Sequence, residues 1–261
     1  MSALLLKRSN LGDGDVSRLV KRFIAADAAA LAAGPATNDA ADSAGAAAQG
    51  VLDLSENSLT GVGIEKLCLG YLLRPSGRPP LTSLLLGGNP VGDAGVASLA
   101  AYLGATPSLR VLGLRYTTLT GAGLQALCTA LKGNVGLEEL DLTGNQCFHH
   151  KEAAVQVRAL TDLVVAHPTL KKLQLVGCGV PDANSDKLLT AAAMNLEAID
   201  LWGNDVGAVG CSALFRAIVS HGEVRWLQRH SSGPKLQVRE RGERWRVGGW
   251  VGGVLCLEIG W

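Results

Sequence analysis

The sequence predicts an α/β solenoid, a stack of about seven similar strand–turn–helix units rather than one large interior. Three observations predict it. A Leu/Asn phrase recurs at intervals close to 28 residues. A second, helix-like Leu/Gly phrase follows it at a fixed offset. The composition also suits many thin layers: 48% of the 261 residues are hydrophobic, yet only 4% are aromatic.

The first phrase reads L-x-x-L-x-L-x-x-N-x-L. Leu81, Leu84, Leu86, Asn89 and Val91 fit it. Leu109, Leu112, Leu114, Thr117 and Leu119 repeat it 28 residues on, and Leu137, Leu140, Leu142 and Asn145 after 28 more. Leu170, Leu173, Leu175, Cys178 and Val180 follow after 33, then Leu196, Ile199, Leu201, Asn204 and Val206 after 26. Upstream, Leu52, Leu54, Asn57 and Leu59 give one unit, and Met1, Leu4, Leu6, Ser9 and Leu11 give the first. The L-x-L core has period-two alternation, which predicts a short strand with its Leu side chains inward. The Asn can satisfy backbone groups that have left the strand. Ser9, Thr117 and Cys178 stand in its place in three units and predict a weaker ladder there.

The second phrase places a Leu eight residues past the end of the first, at Leu19, Leu67, Leu99, Leu127, Leu188 and Leu214. Leu160 matches in the fifth unit, displaced by an insertion of about five residues. A Gly precedes this Leu by four residues at Gly63, Gly95, Gly123 and Gly210. In the fourth unit, Leu124, Leu127, Cys128 and Leu131 are spaced as one buried helical face. A single unit cannot bury that face, but stacked units can.

With strand and helix phrases in one register, LxxLxLxxNxLxxxGxxxL, the chain resembles the ribonuclease-inhibitor type of leucine-rich repeat. That group includes ribonuclease inhibitors, the sensor regions of NOD-like receptors, tropomodulin and the GTPase-activating protein of Ran. The resemblance covers residues 1–227. It implies a horseshoe with parallel strands on the concave face and helices on the convex face.

The departures from the repeat set the domain organisation. Residues 25–50 form an Ala-rich low-complexity insertion, read as a surface segment that extends the first helix through Leu31; loop length costs little free energy. Residues 71–80, with their prolines, lengthen the connection between the second and third units. Residues 146–153 carry the fifth-unit insertion. The tail, residues 228–261, contains Trp245, Trp250 and Trp261, with arginines interleaved with Glu240 and Glu243. It reads either as a hairpin cap turning at Gly242 or as a disordered tail. The start of the repeat at residue 1 suggests a piece of a longer chain.

Several function classes are disfavoured. The formal net charge of +1 argues against a broad nucleic-acid surface. There is no secretory signal and no apolar run long enough for a membrane span, which points to a cytoplasmic protein with reduced thiols. His149 and His150 lie near Cys147 but cannot converge tetrahedrally, so no metal site is expected. Cys68 and Cys128 occupy equivalent helix positions and read as small core hydrophobes. The Gly-rich GGNPVGDAG is no phosphate-binding loop. No catalytic residue, cofactor or small-molecule substrate is expected.

The candidate site is therefore a surface. Strand alternation puts Leu5, Asp53, Leu85, Gly113, Asp141, Gln174 and Asp200 on the exposed side, with Lys7, Ser55, Gly87, Arg115, Thr143, Val176 and Trp202 two residues further and Arg8, Glu56 and Tyr116 beyond them. Arg115, Tyr116, Asp141, Gln174, Asp200 and Trp202 are the expected partner-binding residues. Trp, Tyr and Arg are the types enriched where binding energy concentrates, and the Asp row favours a partner of some basic character. The leading expectation is a non-catalytic protein-interaction scaffold or sensor module. Alternatives are a GTPase-activating protein like that of Ran, against which the mixed-charge tail counts, and a substrate-recognition subunit of a ubiquitin ligase, against which the lack of an F-box-like segment counts.

Overall fold

A computed structural model describes residues 3–32, 50–73, 81–148, 153–220, 237–240, 243–251 and 254–260. Seven strand–helix units follow one another. Their strands are β1 (Ala3–Leu5), β2 (Gly50–Asp53), β3 (Leu81–Leu85), β4 (Val111–Gly113), β5 (Glu139–Asp141), β6 (Lys172–Gln174) and β7 (Ala198–Asp200). Their helices are α1 (Asp13–Ala32), α2 (Gly61–Leu67), α3 (Gly92–Ala105), α4 (Gly121–Leu131), α5 (Ala153–Ala166), α6 (Ser185–Asn195) and α7 (Ala208–Ser220). A π turn at Cys68–Leu72 prolongs α2, and a 3₁₀ turn at Asp182–Asn184 leads into α6. The first helix does run into the Ala-rich insertion, as far as Ala32; residues 33–49 lie outside the described set.

The seven strands form one parallel sheet in sequential order, left open at both ends, with the helices stacked as a second layer: an α/β horseshoe solenoid. The register is set by the repeat. Leu4, Leu52, Leu84, Leu112, Leu140, Leu173 and Ile199 pair in a single line across the sheet. From Leu52 onward every member of that line is buried. The second Leu of each L-x-L, at Leu54, Leu86, Leu114, Leu142, Leu175 and Leu201, is buried beside it. Burying a Leu side chain stabilises by roughly 2 kcal/mol. A one-residue slip of any strand would turn both lines to solvent. Opposite them, helix residues Leu67, Leu99, Leu127, Leu160 and Leu188 close the core.

Two devices tie each unit to the next. The first is the Asn position. Asn145 Oδ1 accepts the N–H groups of Thr117 and Leu119 in the preceding unit, both at 3.0 Å. Its Nδ2 donates to the Leu114 and Leu142 carbonyls at 2.7 and 2.8 Å. Asn57 and Asn204 make the same bonds with their neighbours. Where the Asn is replaced the pattern shrinks. Thr117 offers its hydroxyl to Leu114 O at 2.7 Å, with Asn145 Oδ1 at 3.2 Å, and Cys178 offers a thiol to Leu142 O at 3.1 Å.

The second device is a carboxylate clasp on the helix layer. Asp93, in the first turn of α3, accepts the Thr120 N–H and hydroxyl at 2.9 and 2.6 Å. Thr120 in turn caps α4 by accepting the Ala122 N–H. Asp13 and Thr60 repeat the arrangement from α1 to α2. The clasp explains two of the recurring glycines: a Cβ on Gly123 would sit 2.2 Å from Asp93 Oδ1, and one on Gly63 2.2 Å from Asp13 Oδ1. Asp182 caps α7 directly, taking the Gly207 and Gly210 N–H groups at 2.8 and 3.0 Å.

Beyond α7 a separate antiparallel sheet is formed by β8 (Gln237–Glu240), β9 (Glu243–Val251) and β10 (Val254–Gly260), in the order β10-β9-β8. Glu240 pairs with Glu243 across residues 241–242; Gly242 itself lies outside the described residues.

Candidate partner-binding face

The outward positions of the strands form two lines on the concave face. In the first, Asp141, Gln174 and Asp200 are register partners on β5, β6 and β7. The same line holds Asp53, Leu85 and Gly113 on the earlier strands. The recurrence of Asp has a local cause. Asp53, Asp141 and Asp200 each accept the backbone N–H two residues on, at Ser55, Thr143 and Trp202, over 2.9, 2.9 and 3.1 Å. Each carboxylate thus fastens the chain as it leaves its strand, with one oxygen left for solvent or a partner.

The second outward line lies two residues earlier and was not singled out in the sequence. It contains Glu139 and Lys172, an ion pair at 3.6 Å, and Glu139 also accepts Gln174 Nε2 at 3.0 Å. Just before it, Glu138 joins Arg110 at 2.9 Å and Lys171 at 3.0 Å. Bonding to Lys171, outweighing the upward pull of burial, holds the Glu138 carboxyl below the usual range. The signal was available: period-two alternation runs in both directions from Asp141.

Past the strands the chain turns left-handed at one position in every unit. Gly88, Gly144, Gly177 and Gly203 occupy it with φ of 72°, 70°, 62° and 72°. Arg8, Glu56 and Tyr116 occupy it in the other three units with φ of 56°, 56° and 52°. Outside glycine this conformation costs about 1 kcal/mol per residue. All three non-glycine side chains are charged or aromatic.

The structure therefore divides the six predicted residues. Asp141, Gln174, Asp200 and Trp202 come together on the last three units, with Trp202 47% exposed. Tyr116, 60% exposed, lies against the glycine floor at Gly144, where an added Cβ would meet its ring at 2.1 Å. Arg115 turns the other way. It crosses Gly87, where a Cβ would be 2.6 Å from Arg115 Cγ, and reaches Glu56 at 3.6 Å. Glu56 also binds Lys7 at 2.9 Å and Arg8. Hydrogen bonds from Lys7 and then Arg8 hold the Glu56 carboxyl below its ordinary value.

Thiol chemistry finds no support on the helix layer. Burial pushes the Cys68 and Cys128 thiols up to about 12, so neither forms a thiolate near neutral pH. Cys147 and Cys178 are buried neighbours in adjacent units. Among the described residues no group of three His, Cys, Asp or Glu could hold a metal ion, and no helix is long and apolar enough to cross a membrane. His149 and His150 lie outside the described residues.

Comparison with known proteins agrees with this architecture. The Leucine Rich repeat family profile matches residues 51–68, 79–100 and 192–215. The ribonuclease inhibitor of Sus scrofa is 32% identical over 145 residues, which cover 54% of this chain and 31% of the inhibitor. That of Mus musculus is 32% identical over 138 residues, 51% of this chain and 29% of the inhibitor. A tonsoku-like protein of Mus musculus is 38% identical over 106 residues, 38% of this chain and 7% of that protein. The chain spans about a third of the length of the ribonuclease inhibitors it matches. The repeat register, the Asn ladder and these matches together make the chain similar to leucine-rich-repeat proteins of the ribonuclease-inhibitor type.

Proposed function

We propose that the chain is a non-catalytic scaffold that holds a partner protein on the concave face of its sheet, with Asp141, Gln174, Asp200 and Trp202 as one contact group, Tyr116 leaning toward it over Gly144, and Arg115 turned toward the earlier units. The observation that carries this reading is the exposed Trp202. In a chain with five Trp and a core dominated by Leu, a half-exposed indole sits beside a row of Asp and Gln on a strand face. Large aromatic residues in such settings supply contact area at low entropic cost. The glycine positions at Gly144, Gly177 and Gly203 keep the rim low next to it, and a Cβ on Gly177 would meet nothing within 4 Å. The resemblance to leucine-rich-repeat proteins favours binding over chemistry, and burial keeps the Cys68 and Cys128 thiols protonated.

The test is affinity capture from cell extract with the full chain, repeated with Trp202→Ala and Asp200→Asn. Trp202 is exposed, and Asn at position 200 keeps a side-chain oxygen to accept the Trp202 N–H, so both variants are expected to unfold at the parent's temperature. A partner retained by the parent and lost from Trp202→Ala supports the reading. Equal capture by both variants overturns the site, and acceleration of GTP hydrolysis by a Ran-type GTPase overturns the non-catalytic assignment.

A further inference from the structure

We propose that Lys7, Arg8 and Arg115, gathered around Glu56, form a cationic dock for an acidic segment of a partner protein. This rests on the concave face being the partner-binding surface, but it concerns the first units rather than the Trp202 end. Glu56 Oε1 takes Lys7 Nζ at 2.9 Å and Arg115 Nη2 at 3.6 Å, while Oε2 meets Arg8 Nε. Three cations share one carboxylate, and no second carboxylate among the described residues pairs with them, so two positive charges are left over. The Arg8 side chain meets Glu56 through Nε and is 76% exposed, the most open of the three cations.

The assembly is not a chance surface pair. It draws on the first, second and fourth units and skips the third. Gly87 and Gly88 make the skip feasible: a Cβ at Gly87 would collide with Arg115 Cγ at 2.6 Å, and one at Gly88 would press on Glu56 Cγ at 3.1 Å. Arg8 and Glu56 also occupy left-handed backbone where four other units have glycine. An exposed ion pair contributes too little to offset that strain, so stability alone does not account for these side chains.

The exposed surplus charge selects the occupant. Exposed guanidinium groups match carboxylates in bidentate geometry. Two residues before Lys7 on the same segment, Leu5 is 68% exposed, which suits a segment of Asp or Glu alternating with apolar residues.

The experiment measures fluorescence anisotropy of a fluorescein-labelled peptide of alternating Asp and Leu with the full chain at low and high salt. An Asn/Leu peptide and a polyphosphate serve as comparison probes. The Asp peptide is expected to bind, to weaken as salt is added, and to exceed the Asn peptide. Each of Lys7→Gln, Arg8→Gly and Arg115→Gln should weaken it by up to about fivefold, and the triple variant by on the order of a hundredfold. Arg8→Gly is the sharpest arm, because glycine suits the left-handed backbone: its unfolding temperature should equal or exceed the parent's while its affinity falls. No binding of the Asp peptide, unchanged binding by Arg8→Gly and the triple variant, or tighter binding of polyphosphate overturns the proposal. If a partner is captured through Trp202 while the Asp peptide is ignored, only this inference fails.

Discussion

Replacing Asn145 by Ala tests the ladder that joins the fourth and fifth units. The Asn145 side chain is 1% exposed and holds two N–H groups, those of Thr117 and Leu119, residues that are themselves fully buried. Its loss leaves both without an acceptor. The carbonyls it served are better protected: Leu114 O keeps the Thr117 hydroxyl at 2.7 Å, and Leu142 O keeps the Cys178 thiol at 3.1 Å. Two orphaned buried donors at about 2 kcal/mol each predict a loss of about 4 kcal/mol. Thr117→Val is the matched control. It removes a hydroxyl of the same shape and strands nothing, since Leu114 O still receives Asn145 Nδ2 at 2.7 Å. Its expected cost is about 1 kcal/mol. Urea unfolding of the two variants and the parent gives the comparison. Amide exchange adds a local readout, in which the Thr117 and Leu119 N–H groups lose protection in Asn145→Ala before the rest of the sheet. Equal destabilisation by the two variants, or continued protection of those amides, would refute the ladder as the main tie between units.

Two further outcomes follow from the helix layer and the ion pairs. Gly123→Ala drives a Cβ against Asp93 Oδ1 and breaks the clasp on Thr120, so it should cost about 2 kcal/mol, whereas Gly104→Ala, whose nearest contact is Ala130 O at 3.7 Å, should be neutral or stabilising by thermal unfolding. Asp13, Glu56, Glu138 and Asp182 all have carboxyls lowered from ordinary values of 3.8 or 4.5. For Asp13 burial pulls upward but the Thr60 bonds outweigh it; for Asp182 the Gly210 N–H leads. Lowered carboxyls give stability that is present above the unfolded-state values and lost as pH falls through the folded ones. The urea midpoint should therefore be flat down to about pH 5 and fall steeply below pH 4, and Asp182→Asn should flatten that fall.

Much of the fold was legible in the primary structure because each unit repeats the same local problem. The Leu spacing gave the inward line, and the helix face of Leu124, Leu127, Cys128 and Leu131 is buried as its spacing predicts. The replacement of Asn by Thr117 and Cys178 did thin the hydrogen bonding at those units. The candidate face was legible only in part. Its outward line through Asp141, Gln174 and Asp200 follows from alternation, yet the reason that Asp recurs there does not. That reason is a hydrogen bond to the N–H two residues on, and it depends on how the chain bends after the strand.

By itself, then, the sequence determined the repeat, its register and which residues face inward, because burial of a periodic Leu pattern has one solution for a stack of strand–helix units. The tertiary structure decided which outward side chains meet. Arg115 and Tyr116 are adjacent in sequence, yet one reaches back across Gly87 to Glu56 and the other lies forward over Gly144. Nothing in their spacing distinguishes the two directions. What does is the absence of side chains at glycines 28 residues away on either side, a property that exists only once the units are stacked.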